Sequence, residues 1–324
     1  MAIDPRALKH REVVLEHLAK AGRALELHQV EAQGPMCGNV SPWESREAED
    51  FHGTLMAIWV WARHQALTGQ KRFQNSRDLA WRFVLEAGIK HLPETLGPED
   101  YEAPFGCACL LRAALADRDA GTDDARQAMA DLAVDALRGY LGADKPPEPG
   151  REFRDTGFLI WSLADYARVA NEERALRVAA KYADKFFGTK APPPPAEEPQ
   201  PEGVMFDFLS TSSTRVLACI AAQGETPFLG AWLRERILQV LPRTFVPRTR
   251  DENAWNASVA WLLGTSYTLT HATDFLDAYL ALIGELAVRD TDGDGALGRD
   301  ASFPEAETLP TWAWAQAMDA LQAR

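Results

Sequence analysis

Apolar residues recur along this chain at three- and four-residue intervals, and no stretch shows the strict alternation of a half-buried strand. Helical stretches are predicted over 6–27, 42–67, 71–89, 104–116, 123–141, 155–169, 172–188, 209–222, 227–241, 254–269, 272–288 and 310–323, about twelve in all. The fold class is therefore all-α. The stretches alternate between two kinds. Phe51 to Ala62, Ala103 to Leu115, Phe158 to Ala164, Val216 to Ala222, Trp255 to Leu263 and Thr311 to Met318 are apolar nearly all round, as a helix enclosed by other helices must be. The second kind carries one apolar stripe and a charged back. Examples are Ala175, Leu176, Ala179, Tyr182, Ala183 and Phe186, or Phe275, Leu276, Tyr279, Leu282, Ile283 and Leu286. Such helices belong on the outside.

The turn from an enclosed to an outer helix recurs: Leu67-Thr-Gly-Gln-Lys-Arg-Phe73, Val169-Ala-Asn-Glu-Glu-Arg-Ala175 and Leu269-Thr-His-Ala-Thr-Asp-Phe275. These copies lie roughly one hundred residues apart, and weaker ones near Asp119 and Gln223 halve the interval to about fifty, a helical-hairpin repeat. Hairpins of this size stack into an open solenoid or close into a ring. The uniformly apolar inner helices and the lack of a polar cap at either end favour a ring, and with it one domain spanning 1–324. The pattern resembles the six-hairpin α/α toroids, the (α/α)6 barrel shared by glycoside hydrolases, polysaccharide lyases, terpenoid cyclases and protein prenyltransferases. The resemblance is architectural and covers nearly the whole chain. Missing are the Asp-rich motif of terpenoid cyclases, the zinc ligands of prenyltransferases and the Gln/Trp repeat of squalene cyclases.

Loop lengths assign the two rims different roles. Inner-to-outer connections take about three to six residues and outer-to-inner ones about a dozen to over twenty, so the long loops emerge together, where binding usually resides. They fall near 142–154, 189–208 and 289–309, and include Lys145 to Gly150, the proline-rich Ala191 to Gly203 and the acidic Arg289 to Leu309. The same rim receives the N-termini of the inner helices, whose unpaired amides and positive dipole ends suit an oxygen-rich ligand.

Sugar cleavage needs two carboxylates flanking the bond, and Asp50, Asp155, Asp207 and Asp251 come from different hairpins at these N-termini. His52 or Tyr101 can supply the base of a lyase, with Arg46 or Arg154 neutralising a uronate carboxylate. Trp43, Trp255 and Trp312, with Asn256, offer indole faces and an amide for a sugar ring. Structural roles compete for the same residues. Ser41-Pro-Trp-Glu44 reads as a capping box, Asp50 and its acidic neighbours complement a helix dipole, and His52 equally suits a core histidine. The Asn256-Ala-Ser258 sequon falls inside a predicted helix and is discounted as a glycan acceptor.

Asp290-Thr-Asp292-Gly-Asp294-Gly-Ala296-Leu297 resembles the first eight positions of an EF-hand calcium loop, with side-chain oxygens at one, three and five and the Ala296 carbonyl at seven. Position twelve is Ala301 instead of a bidentate acid, so Asp300, Glu305 or Glu307 has to substitute. The alternatives are a structural Ca2+ bracing the loop, or a turn rich in Asp and Gly. No organic cofactor is expected.

Composition narrows the functions. The chain has 324 residues, 46% hydrophobic and 25% charged, enough for a large core. Its net charge is −13 with no basic stripe, which argues against nucleic acid. No apolar run is long enough to cross a bilayer. The first twenty residues are charged and helical, so the chain as given reads as cytoplasmic, or as secreted or periplasmic if an export signal has been removed. Cys37, Cys107, Cys109 and Cys219 lack disulfide-framework spacing.

The leading expectation is an enzyme acting on a carbohydrate, hydrolase or lyase, with a small-molecule or oligosaccharide ligand. The rivals are a terpenoid-cyclase-like or prenyl-binding enzyme, motivated by Trp59, Trp61, Trp161 and Trp261 on inner helices, and a non-enzymatic binding module using the rim loops.

Overall fold

The computed structural model describes residues 5–41, 49–91, 102–120, 162–164, 166–167, 171–186, 267, 273–288 and 293. They form α1 (Pro5–Leu27), α2 (Phe51–Thr68), α3 (Gln74–His91), α4 (Glu102–Asp119), α5 (Glu173–Phe186) and α6 (Thr273–Val288), and 162–164 and 166–167 are helical too. Among the described residues there is no strand, only an isolated bridge between Gln29 and Val40. The described fold is all-α. None of its helices is long and apolar enough to cross a membrane. The predicted helices at 123–141, 209–222, 227–241 and 310–323 lie outside the described residues, as does 254–269 apart from Tyr267.

The expected start of the second helix needs correction. Ser41 is buried and not helical, and the rest of the expected capping box, 42–44, lies outside the described residues. Helix α2 begins instead at Phe51, with Asp50 as N-cap. The reason is long-range: Asp50 N–H donates to Asn39 Oδ1 (2.9 Å) and Val40 N–H to Thr54 Oγ1 (2.9 Å). These bonds hold Asn39 and Val40 against the first turn of α2, and 42–48 lie outside the described residues.

The chain divides into two compact units. One contains segment 28–41 and α2 to α5. Here α2 is buried on every side from Phe51 through His64, apart from His52 and Met56, and α4 is buried throughout 106–117. Both are enclosed helices, as their composition predicts. Trp59 and Trp61 lie within this packing, and burying side chains of that size contributes about 2–3 kcal/mol each. Helices α2 and α4 run parallel: His52 at the start of α2 lies against Gly106, and Gln65 near its end donates to the Ala120 carbonyl (3.0 Å), 55 residues on. From α4, Arg112 Nε donates to Ser162 Oγ (3.0 Å), 50 residues on. Both separations match the repeat length read from the turns.

Between α2 and α4 in sequence, α3 is of the outer kind. It buries Arg77, Ala80, Trp81 and Val84 on one face and leaves Arg82, Leu85 and Glu86 exposed. The turn into it closes with Gly69 in the left-handed region (φ 71°), whose N–H donates to the Gln65 carbonyl (2.8 Å). Asn171, third in its own copy of the turn, is also left-handed (φ 55°), and Glu172 N–H reaches back to the Ala167 carbonyl (2.9 Å). Phe73 and Ala175, seventh in each copy, are both buried. These two copies of the turn thus share a left-handed third residue and a buried seventh, and most of the third copy, 268–272, lies outside the described residues.

The stripe of α5 departs from expectation at Leu176, which is 38% exposed, while Val178 is buried with Ala175 and Ala179. Positions 175, 178 and 179 share one helical face, and 176 is turned about 100° away from 175.

Segment 28–41 docks on α3. Gln29 Nε2 donates to the Ser76 carbonyl (2.7 Å), and Gly38 (φ +94°) approaches so closely that a Cβ there would sit 2.0 Å from the Leu79 carbonyl oxygen. Helices α3 and α4 are joined by buried charge: Arg77 Nε lies 3.0 Å from Asp117 Oδ1, and Trp81 Nε1 donates to Asp117 Oδ2. In the other unit, α1 buries Val14, Leu18, Ala21 and Leu25, and α6 buries Phe275, Leu276, Tyr279, Leu282 and Ile283. The two helices pack together, with Arg6 and Asp277 paired across them at 2.6 Å on the surface.

Asp117→Asn strips the counter-charge from the buried Arg77 and is expected to cost about 3–5 kcal/mol, read as a fall in urea midpoint. By contrast, Glu173→Ala, which removes the exposed partner of Arg177, changes stability by less than about 0.5 kcal/mol. A pH dependence follows from His64. Burial holds its imidazole below the usual range, with Arg72 adding to the effect. Above the unfolded value both states are neutral; as pH falls below it, the unfolded chain takes up the proton first. Stability therefore falls as the pH drops through the ordinary histidine range and below it, and His64→Gln flattens that part of the profile in urea titrations.

Candidate rim site at the start of the enclosed helices

Enclosed helices leave only their ends for a ligand, and the end where α2 begins carries two of the expected catalytic residues. Asp50 Oδ1 accepts from Gly53 N–H (2.7 Å), which makes the side chain an N-cap. Its backbone is also held on both sides: the N–H by Asn39, and the carbonyl by Thr54 N–H (3.1 Å) and Thr54 Oγ1 (2.7 Å). Four bonds thus fix the half-exposed Asp50 at the positive end of the helix dipole, where an ionised carboxylate is most favoured.

His52 follows in the first turn, half-buried. Its ring meets Phe51 edge-on (centroids 6.0 Å, planes 68° apart) and packs over Gly106 of α4. Because α2 and α4 are parallel, this contact brings the start of one enclosed helix beside the early turns of the next. A carboxylate and an imidazole therefore occupy an end where unpaired amides point outward.

The remaining expected site residues lie outside the described residues: Tyr101, Asp155, Asp207 and Asp251; Trp43, Arg46, Arg154, Trp255, Asn256 and Trp312; and the loop ligands Asp290, Asp292, Asp294 and Ala296. Within that loop Gly293 is described, exposed and left-handed (φ 79°). Asn39 and Thr54, which hold Asp50 in place, were not legible as site residues. Their pairing spans 15 residues and follows no periodicity.

Other candidate residues described in this unit lie within its packing. Cys107 and Cys109 are both buried, and burial pushes the Cys107 thiol up to about 12, so Cys107 stays a thiol near neutral pH. Of the four tryptophans behind the prenyl-binding alternative, Trp59 and Trp61 are buried in α2, and Trp161 and Trp261 lie outside the described residues.

No family model matches the chain, and no curated protein or solved structure matches it.

Capping and charge at Asp50 are separable. Asp50→Ala removes the cap and is expected to lower stability by about 1 kcal/mol in chemical denaturation, whereas Asp50→Asn, an equally good cap, stays within a few tenths.

Proposed function

We propose that the chain is an α/α-toroid enzyme that cleaves a carbohydrate, as a hydrolase or lyase, in a cleft at the end where its enclosed helices begin. The observation that carries this reading is the placing of Asp50 and His52 at the shared starting end of α2 and α4. Closure of the hairpins into a ring is supported by the packing of α1 on α6, where Arg6 meets Asp277 from 271 residues away. It is supported further by polar links between enclosed helices at intervals of 55 and 50 residues.

In this reading Asp50 serves as the ionised carboxylate, stabilising positive charge that develops at the sugar ring or acting as base. His52 moves the proton, as a base toward a uronate α-carbon or as the partner of an acid from another hairpin. That acid is Tyr101, Asp155, Asp207 or Asp251. Trp43, Trp255 and Trp312 stack on sugar rings, Asn256 bonds hydroxyls, and Arg46 and Arg154 meet a uronate carboxylate. Ca2+ on Asp290, Asp292, Asp294 and the Ala296 carbonyl braces the loop, a role compatible with the left-handed turn at Gly293.

A panel of neutral and uronate-containing oligosaccharides, monitored by product release and by ultraviolet absorbance of unsaturated ends, tests the reading and separates hydrolase from lyase. Asp50→Asn is expected to keep the wild-type denaturation midpoint and lose about a hundredfold or more in kcat/KM. A panel with neither cleavage nor binding overturns the proposal.

A further inference from the structure

Gly106 lies in α4 at the head of its buried run, and it does not adopt a left-handed backbone. A glycine inside a helix weakens that helix relative to alanine, so its presence calls for another cause. The surroundings supply one. A Cβ built on Gly106 would lie 2.9 Å from His52 Nε2, 3.4 Å from His52 Cδ2 and 4.0 Å from Phe51 Cε1. All three atoms belong to the first two residues of α2, and the shortest approach is to the reactive edge of the imidazole.

We propose that Gly106 is a positioning residue for His52: its missing side chain forms the seat that holds the imidazole over α4 at the rim. The first atom an alanine would strike is the far end of a rotatable side chain, so the imidazole moves and the helices stay. Gly106→Ala therefore exchanges the position of His52 for a stronger helix. The catalytic consequence rests on the reading of His52 as a proton-moving group, whereas the seat itself does not.

The test uses the full chain and 1H–15N spectra of its seven histidine imidazoles across a pH titration, with the His52 signal assigned by its loss in His52→Gln. In Gly106→Ala the His52 resonances and their titration midpoint are expected to move, while the other histidines stay as in wild type. Unchanged His52 resonances in a folded Gly106→Ala protein overturn the proposal. If Gly106→Ala does not fold, the double variant with His52→Ala decides. Recovered folding locates the conflict at the imidazole, and continued failure to fold overturns the seat. These readouts need no substrate, so a negative oligosaccharide panel removes the enzymatic reading and leaves the seat to be judged alone. With a substrate in hand, the pH profile of kcat/KM in Gly106→Ala follows the moved His52 midpoint.

Discussion

The side chain of Asp117 is completely buried, and a carboxylate can occupy such a site only if its charge is met by protein. From α3, Arg77 sets its charge beside one oxygen and Trp81 donates a hydrogen bond to the other. These partners are one helical turn apart, so the pairing fixes the height and rotation of α3 on α4 together. Apolar contacts alone tolerate sliding by a turn, whereas a buried ion pair out of register leaves two charges stranded. Since α3 issues from α2 through the tight turn at Gly69, the register at Asp117 also carries α2 into line.

Much else in this unit follows from that alignment. Parallel α2 and α4 bring like ends together, and the two ends have divergent chemistry. At the far end Arg77 and Trp81 meet Asp117 and Gln65 donates to the Ala120 carbonyl, while the His64 ring lies edge-on to Phe73. At the near end the Asp50 cap, Asn39 and Thr54 settle where α2 starts, and His52 rests on the bare backbone of α4. The sides of both helices are sealed by packing. What these two helices can offer a ligand is thereby left to their ends.

The segment 28–41 shows how little room such packing leaves. It is held by bonds to the backbone of α3 and to the first turn of α2, and at Gly38 the two backbones approach too closely for any Cβ. Its polar side chains, Gln29 and Asn39, are buried and bonded, serving as replacements for the regular backbone pairing that the segment lacks. The start of α2 is defined by this docking as much as by its own residues.

The sequence by itself determined the class of structure, the two kinds of helix and the repeat. These depend on local pattern: residues 51–62 apolar on every side, a stripe on α6, and a recurring turn sequence, of which the structure shows a left-handed third residue at Gly69 and at Asn171. It also singled out Asp50 and His52, because acids and polar rings at the head of an apolar helix stand out in any reading. Only the tertiary structure decided that α2 starts at Phe51 with Asp50 as its cap, that Val178 rather than Leu176 faces inward on α5, and that Arg77, Trp81 and Asp117 form one buried group. Each of these rests on contacts between residues far apart in the chain. Hydrophobic periodicity reports which face of a helix avoids water; it carries no information about which distant polar atom completes a bond.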